Sequence, residues 1–368
     1  MNMKRLFGAM AGLAASLPFI AGACAGGLEA NGYDWDLLFD PAPYATKATA
    51  TYVHIEKNVT NPGVMPGTVS TTPARMHYNV GFKADVLDMA SCLVTVQNPY
   101  GSNSARTNAY AALTQQAVSE SVRSTDTGLT CAVGIEAGPG VLSVIGGISA
   151  QNLSYQASIP TGLITSRPLS IDGWSTGWRA GLAYEIPEYA LRVSAVYNAP
   201  VHYTLEGTAF GGTASADVTT PQSFELRGQT GIAPGWLALG SVKWVDWSTL
   251  QRLRVTTIGA PLVSSFGYRD GLTVTAGIGH AISEQLSLVG TASWDRGTSV
   301  PGASGVLTAG SQTDRYGLAL GAIYTISPSV QLTGGVSAST LAAGSNAKGE
   351  SWDTGYVYTV SGGIKASF

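Results

Sequence analysis

Residues 356 to 368 read YVYTVSGGIKASF, and the two-residue period of that stretch decides the fold. Tyr356, Tyr358, Val360, Gly362, Ile364, Ala366 and Phe368 fall on one side. Val357, Thr359, Ser361, Gly363, Lys365 and Ser367 fall on the other. An extended strand sends alternate side chains to opposite faces, so this is a strand with one apolar and one mixed, polar face. Upstream the pattern recurs. DRYGLALGAIYTI sets Tyr316, Leu318, Leu320, Ala322 and Tyr324 against Arg315, Gly317, Ala319 and Gly321. EQLSLVGTASW and YALRVSAVYN divide in the same way, as do PQSFELRGQTGI and GWLALGSVKWVDW.

Two kinds of connection take turns between these segments. Short ones lie at 137–140, 185–189, 233–235, 283–284 and 327–329. Long ones span 58–74, 99–125, 153–173, 199–220, 249–269, 297–312 and 340–353. The segments number about fourteen, of ~10 residues each, which is the pattern of an outer-membrane β-barrel. The expected fold is therefore all-β: a transmembrane outer-membrane β-barrel of about fourteen antiparallel strands. A large soluble all-β protein would need two packed sheets and no aromatic residues at its strand ends. Here Trp174, Trp178, Tyr184, Tyr197, Trp236, Trp244, Trp294, Tyr316, Tyr324, Tyr356 and Tyr358 suit girdles at the two membrane interfaces. One loop carries helical spacing, TNAYAALTQQAVSESVR at 107–123.

Composition agrees. The chain has 368 residues, 12% of them charged, and 46 Gly; ordinary chains carry about 25% charged residues and about 7% Gly. The net charge of -3 and the lack of any basic run exclude nucleic acid as a partner. Residues 1–25 read as a secretory signal, with Lys4 and Arg5, an apolar run, and an A-x-A site at Ala23-Cys24-Ala25. A lipoprotein with Cys24 as its first mature residue is the alternative. The expected location is the bacterial outer membrane, with membrane lipid around a monomeric barrel. The terminal Phe368 suits what the barrel-assembly machinery reads. Cys92 and Cys131 fall on consecutive strands flanking the loop 99–125. Adjacent strands lie ~4.8 Å apart, so a disulfide that tethers this loop and a pair of free thiols both remain open.

Site chemistry is sparse. His54, His77, His202 and His280 lack metal-ligand spacing, and no cofactor motif occurs. GWSTG, at 173–177, matches the G-x-S-x-G of hydrolases, which would make an outer-membrane lipase or protease. That elbow needs strand, sharp turn and helix, whereas an alternating strand follows at once. No enzyme is expected. Parity instead gathers cations on the inner face: Arg75, Lys83, Arg179, Arg192, Arg227, Lys243, Arg315 and Lys365, with Glu185 and Glu225 the clear inward acids.

Four stretches, DGWSTGWRAGLAYEIPEYALRVSAVYNAPVHYTLEG, TPQSFELRGQTGIAPGWLALGSVKWVDWS, YRDGLTVTAGIGHAISEQLSLVGTASWD and QTDRYGLALGAIYTISPSVQLTGGVS, resemble the FadL/TodX family of outer-membrane transport proteins. The resemblance implies a hatch folded into the lumen, an extracellular apolar groove and a sideways exit through a kinked wall strand. It assigns 26–47 to the hatch and 48–368 to the barrel. The segment NGYDWDLLFDPAP, at 31–43, is apolar and acidic at once and too rich in Pro to run as a helix or inner strand. Its Asp34, Trp35, Asp36, Leu38, Phe39, Asp40 and Pro41 are the hatch candidates. Asp40-Pro41-Ala42 stands where the family carries Asn-Pro-Ala, a departure that alters the hatch contact. The Asp residues are expected to meet Arg75, Arg179, Arg192, Arg227, Lys243 and Arg315, each pair contributing about 0–1 kcal/mol in a wet lumen. Those same cations are the candidates to greet a ligand carboxylate. Groove candidates are Leu113, Val118, Ile258, Leu262 and Phe266, with Ala109, Ala112 and Val263 beside them. VTVQNPYG, with Pro99, is the candidate for the kinked strand. The implied function is passive uptake of a hydrophobic small molecule, a fatty acid or hydrocarbon; a general porin for small polar solutes is the alternative.

Overall fold

The computed structural model describes residues 27–30 and 32–368, so the signal expected at 1–25 lies outside the described residues. Fourteen antiparallel strands close into a barrel. They are β1 (Tyr44–Glu56), β2 (Arg75–Leu87), β3 (Ala90–Gln97), β4 (Ser119–Ala137), β5 (Gly140–Pro160), β6 (Ser166–Ile186) and β7 (Leu191–Asn198). β8 (Ser223–Ala233), β9 (Trp236–Val245), β10 (Gly271–Ala281), β11 (Leu286–Asp295), β12 (Arg315–Ser327), β13 (Val330–Leu341) and β14 (Gly355–Ser367) complete the ring. Each pairs with its neighbours in the sequence, and β1 pairs with β14 from Ala45↔Ser367 to Glu56↔Tyr356, so the ring has no free edge.

The period of two sorts the faces as expected. Leu318, Leu320 and Ile148 look outward and are 69%, 67% and 67% exposed. A sheet face this apolar and this bare is a face for lipid. Its aromatic residues form two rims. Trp178, Tyr197, Trp244, Trp294, Tyr316 and Tyr356 stand toward the long loops, and Tyr184, Trp236 and Tyr324 toward the short turns. At the short-turn rim Tyr44 stacks between Phe82 and the terminal Phe368. Inward, the side chains are polar and buried: Lys83, Gln97, Asp126, Arg179, Glu225 and Lys365 among them.

Three loop readings are corrected. The stretch 153–173 is no loop, because β5 and β6 run on through it and turn only at 161–165. The stretches 199–220 and 249–269 hold hairpins of their own, Val201–Ala209 with Gly212–Thr220 and Arg252–Thr257 with Leu262–Ser265. The helix expected at 107–123 is only Asn108–Thr114 (α1), ending at the left-handed Gln115. Beyond it Ser119 to Arg123 alternate and pair with β5, and tertiary pairing overrides the helical spacing. GWSTG lies within the continuous strand β6, so the hydrolase elbow does not form. Cys92 and Cys131 face each other in the β3–β4 ladder and are joined as a disulfide. The bond sits in the short-turn half of β3, so it does not tether the loop 99–125.

Candidate functional site

Residues 27–30 and 32–43 lie inside the ring, because inward side chains from strands all round it hold them. Burial leaves Trp35 1% exposed and Leu38 3%. Among the described residues before Pro41 and Pro43, one tight turn, Asp36–Phe39, is the only helical piece, and Glu29 makes an isolated bridge to Tyr100. Gly27 and Gly32 have positive φ, and a Cβ on Gly27 would fall inside the Trp247 ring, so the chain can thread here only as glycine. The first strand begins at Tyr44, which ends the irregular segment at Pro43.

Each acid of the segment meets a cation of the wall. Asp34 accepts from Lys47 at 2.8 Å and from Asn79 at 3.1 Å, while its own N–H donates to Gln97. Burial alone would favour a neutral Asp34, but Lys47, with Arg227 beyond it, holds the carboxyl down at about 2. Asp36 pairs with Arg227 at 3.0 Å, and Asp40 with Lys365 at 2.7 Å. Glu29 pairs with Lys243. Cations also cover the aromatic faces: Arg227 over Trp35, Arg179 over Tyr33 and Arg192 over Phe39, at 4.3, 4.9 and 4.7 Å.

Of the six expected cations, only Arg227 takes an Asp of the segment. Arg179 pairs with Asp126 at 3.3 Å, Arg192 lies 3.9 Å from Glu185, Lys243 takes Glu29, and Arg315 lies 3.9 Å from Asp295. Arg75 stands at the outer end of β2. Lys47, expected within the hatch, belongs to the inner face of β1 and pairs with Asp34. The pairs are drier than expected to different degrees: the Asp40 side chain is 2% exposed and its pair is a buried one, whereas the Asp34 side chain is 25% exposed and its pair is partly screened.

Above the charged lumen the inner faces turn apolar. Leu153, Tyr155, Leu169 and Ile171 of the extended β5 and β6 pack against Tyr203, Leu205, Leu253 and Val255 of the loop hairpins. A second cluster joins Tyr33, Trp35, Leu37 and Leu38 to Tyr100, Trp247, Leu250 and Tyr268. Val218 and Phe266 pack against both clusters, so the apolar surface is continuous from the long-loop end down to the buried segment. Among the groove candidates, Leu262 and Phe266 join it. Leu113 and Ile258 are exposed away from it, and Val118 serves through its backbone, bonding Arg106 and Ser158. Leu153, Tyr155, Leu169 and Ile171 are not among the groove candidates because the sequence reading places 153–173 in a loop.

Beside this surface the wall is broken. The β2–β3 ladder stops at Asn79↔Gln97, and the next rung above it is Thr71↔Ala105, between loop strands Met65–Thr71 and Gly101–Arg106. In between, 72–78 and 98–104 face each other with only side-chain links, Tyr78 N–H to Asn98 at 3.1 Å and Asn103 to the Ala74 carbonyl at 3.4 Å. Pro73 and Pro99 stand on opposite sides of this window and have no N–H to give a ladder. Toward β4 the pairing resumes with three residues, 98–100, against two, 124 and 125, which bends the strand as a bulge does. The N-terminal segment takes up the spare backbone groups. Ala30 N–H donates to Pro99 O and Gly101 N–H to Leu28 O, both at 2.9 Å.

No group of His, Cys, Asp or Glu among the described residues is placed to hold a metal ion. Comparison with known proteins gives a consistent picture. The profile described as Outer membrane protein transport protein (OMPP1/FadL/TodX) matches residues 88–361. The 47 kDa outer membrane protein of Pasteurella multocida is 24% identical over 219 residues, 51% of this chain and 48% of that protein. The long-chain fatty acid transport protein of Escherichia coli is 24% identical over 187 residues, 45% of this chain and 41% of that protein. The chain therefore aligns with about half the length, or less, of these curated relatives. Among solved structures, a Pseudomonas aeruginosa FadL homologue superposes with a TM-score of 0.70 at 14% identity, over 90% of this chain and 92% of that one. The Pseudomonas putida toluene transporter TodX gives 0.67 at 13% identity, over 94% and 98%. These last two likenesses speak for the fold.

Proposed function

The chain belongs to the OMPP1/FadL/TodX family of outer membrane transport proteins, and we propose that it carries out passive uptake of hydrophobic compounds, fatty acids or hydrocarbons, across the bacterial outer membrane. An apolar molecule gains by leaving water and loses by entering a charged channel. It therefore needs an apolar surface to receive it and a way out that avoids the lumen floor. The long-loop end, extracellular in barrels of this kind, offers the first. The window between β2 and the third strand offers the second, a sideways exit into lipid. The N-terminal segment is the hatch: its ion pairs close the lumen to ions, and its backbone lines the window. Phe368 is the end read by the assembly machinery, and the barrel acts as a monomer.

The observation that carries this reading is the contact of Val218 and Phe266 with both apolar clusters, which makes one route of two. Binding of a labelled fatty acid, an alkane and an alkylbenzene to purified protein tests it, together with conductance in a planar bilayer. Binding of at least one ligand with low conductance is expected. Binding of none, with strong conductance, would instead indicate a general porin.

A further inference from the structure

We propose that His77 is the specificity-determining side chain of the window: it hydrogen-bonds the single polar group of an uncharged hydrophobe and so favours an alcohol over a hydrocarbon of the same length. The inference rests on the reading that ligands leave through the window. His77 lies on the inner face of β2, on the parity of Asn79 and Lys83, and is 5% exposed. Its ring reaches across the break in the wall. A Cβ placed on Gly101, on the far side, would stand 3.2 Å from His77 Cε1 and 3.5 Å from the Ala30 Cβ of the N-terminal segment.

Polar groups around it are already engaged. Asn79 donates to Asp34, Gln97 binds Asp34 N–H and Asp126, and the backbones of Leu28, Ala30, Pro99 and Gly101 satisfy one another. His77 Nε2 has no hydrogen-bond partner among the described residues. A buried ring nitrogen left in that state is costly and calls for a partner. Gly101, which faces the ring across the break, and Ala30, beside Gly101, carry no polar side chain. Nε2 makes one hydrogen bond, as donor or acceptor, and a hydroxyl can answer in either sense. A hydrocarbon in the same place leaves the nitrogen unsatisfied, and that difference is the basis of selection. Arg75, two residues away on the same face, makes a carboxylate the rival ligand class.

The test compares chain-dependent uptake of decanol, undecane and decanoate by cells carrying the parent, His77→Leu or His77→Gln, with cells lacking the chain as baseline. Heat-modifiable gel migration verifies that each barrel has assembled; should His77→Leu not assemble, His77→Phe is read in its place. The decanol-to-undecane ratio is expected to fall about five- to tenfold in His77→Leu, the scale of one hydrogen bond, and to be largely kept in His77→Gln. An unchanged ratio, or a larger loss for decanoate than for decanol, overturns the assignment. No chain-dependent uptake of any of the three by the parent overturns the transport reading itself, and the assignment with it.

Discussion

Along β5 the inward side chains change character above Gln151: Ser143, Ile145, Ser149 and Gln151 are a mixed set, and Leu153, Tyr155 and Ala157 follow them. β6 does the same in reverse, from Leu169 and Ile171 to Arg179. The parity is unbroken, so one strand face serves two interiors. In the lower one, directional ion pairs and cation–aromatic contacts fix the N-terminal segment in a single seat. In the upper one, non-directional apolar contact prevails, and a ligand can replace a side chain there without leaving a charge unmet. Gln151 marks the border, accepting from Tyr33 below at 3.4 Å and Tyr203 above at 2.8 Å. On the proposed function, the barrel thus separates the task of sealing from the task of receiving.

The largest expected effect comes from removing the charges of the lower region. Asp34, Asp36 and Asp40 together changed to Asn leave Lys47, Arg227 and Lys365 without those partners. Removing one member of a buried pair, as Asp40 with Lys365 is, costs about 3–5 kcal/mol, and the partly exposed Asp34 pair less. The barrel should still assemble, and single-channel conductance should rise severalfold; conductance equal to the parent would mean that packing of Trp35 and Leu38 seats the segment alone. Mild acid should not imitate this variant. A carboxyl held below its ordinary value contributes stability above that value and loses it only as pH falls through the folded one, for Asp34 between ~4 and about 2.

A smaller effect is expected where the regions meet. Phe266→Asp puts an unpaired carboxylate on the side chain that touches both clusters. Its burial costs a few kcal/mol or drives the side chain out. Uptake should fall about tenfold or more while conductance stays low, the opposite signature to the Asp variant. If both measurements move together, the two regions are not separate devices.

The smallest effect belongs to residues outside both regions. Leu113→Ala and Ile258→Ala change exposed side chains and should leave stability within about 0.5 kcal/mol and uptake at the parent rate. A clear loss of uptake in either would extend the receiving surface beyond the apolar cluster.

Strand number, facing and closure were legible because alternation is a local signal. The inward cations were legible for the same reason. Their partners were not, since pairing across a lumen depends on which strand faces which part of the segment: Glu29 lies before the acidic stretch 31–43, and Lys47, an inward cation at the start of β1, lies just after it. The upper region was obscured by its own chemistry. Where the inner face turns apolar the outer face turns polar, Ser154, Gln156 and Ser158 against Leu153, Tyr155 and Ala157; the alternation continues with its sense inverted, and 153–173 reads as loop although the strands continue. Pro99 stood out as a strand breaker. Pro73, which faces it across the window, acquires meaning only from the register of β2 with β3.

The central claim is that ligand leaves through the window that the N-terminal segment lines. Ala30→Cys with Gly101→Cys tests it most directly, since a Cβ on Gly101 would stand 3.5 Å from that of Ala30, at the edge of the range a disulfide spans. The pair is made with Cys92→Ala and Cys131→Ala, so that only the new bond responds to reductant. Uptake of a labelled hydrophobe is measured in the oxidised and reduced states of the same cells. The account predicts uptake near the baseline when oxidised and recovery on reduction; equal uptake in the two states, with the bond verified by mass, would contradict it.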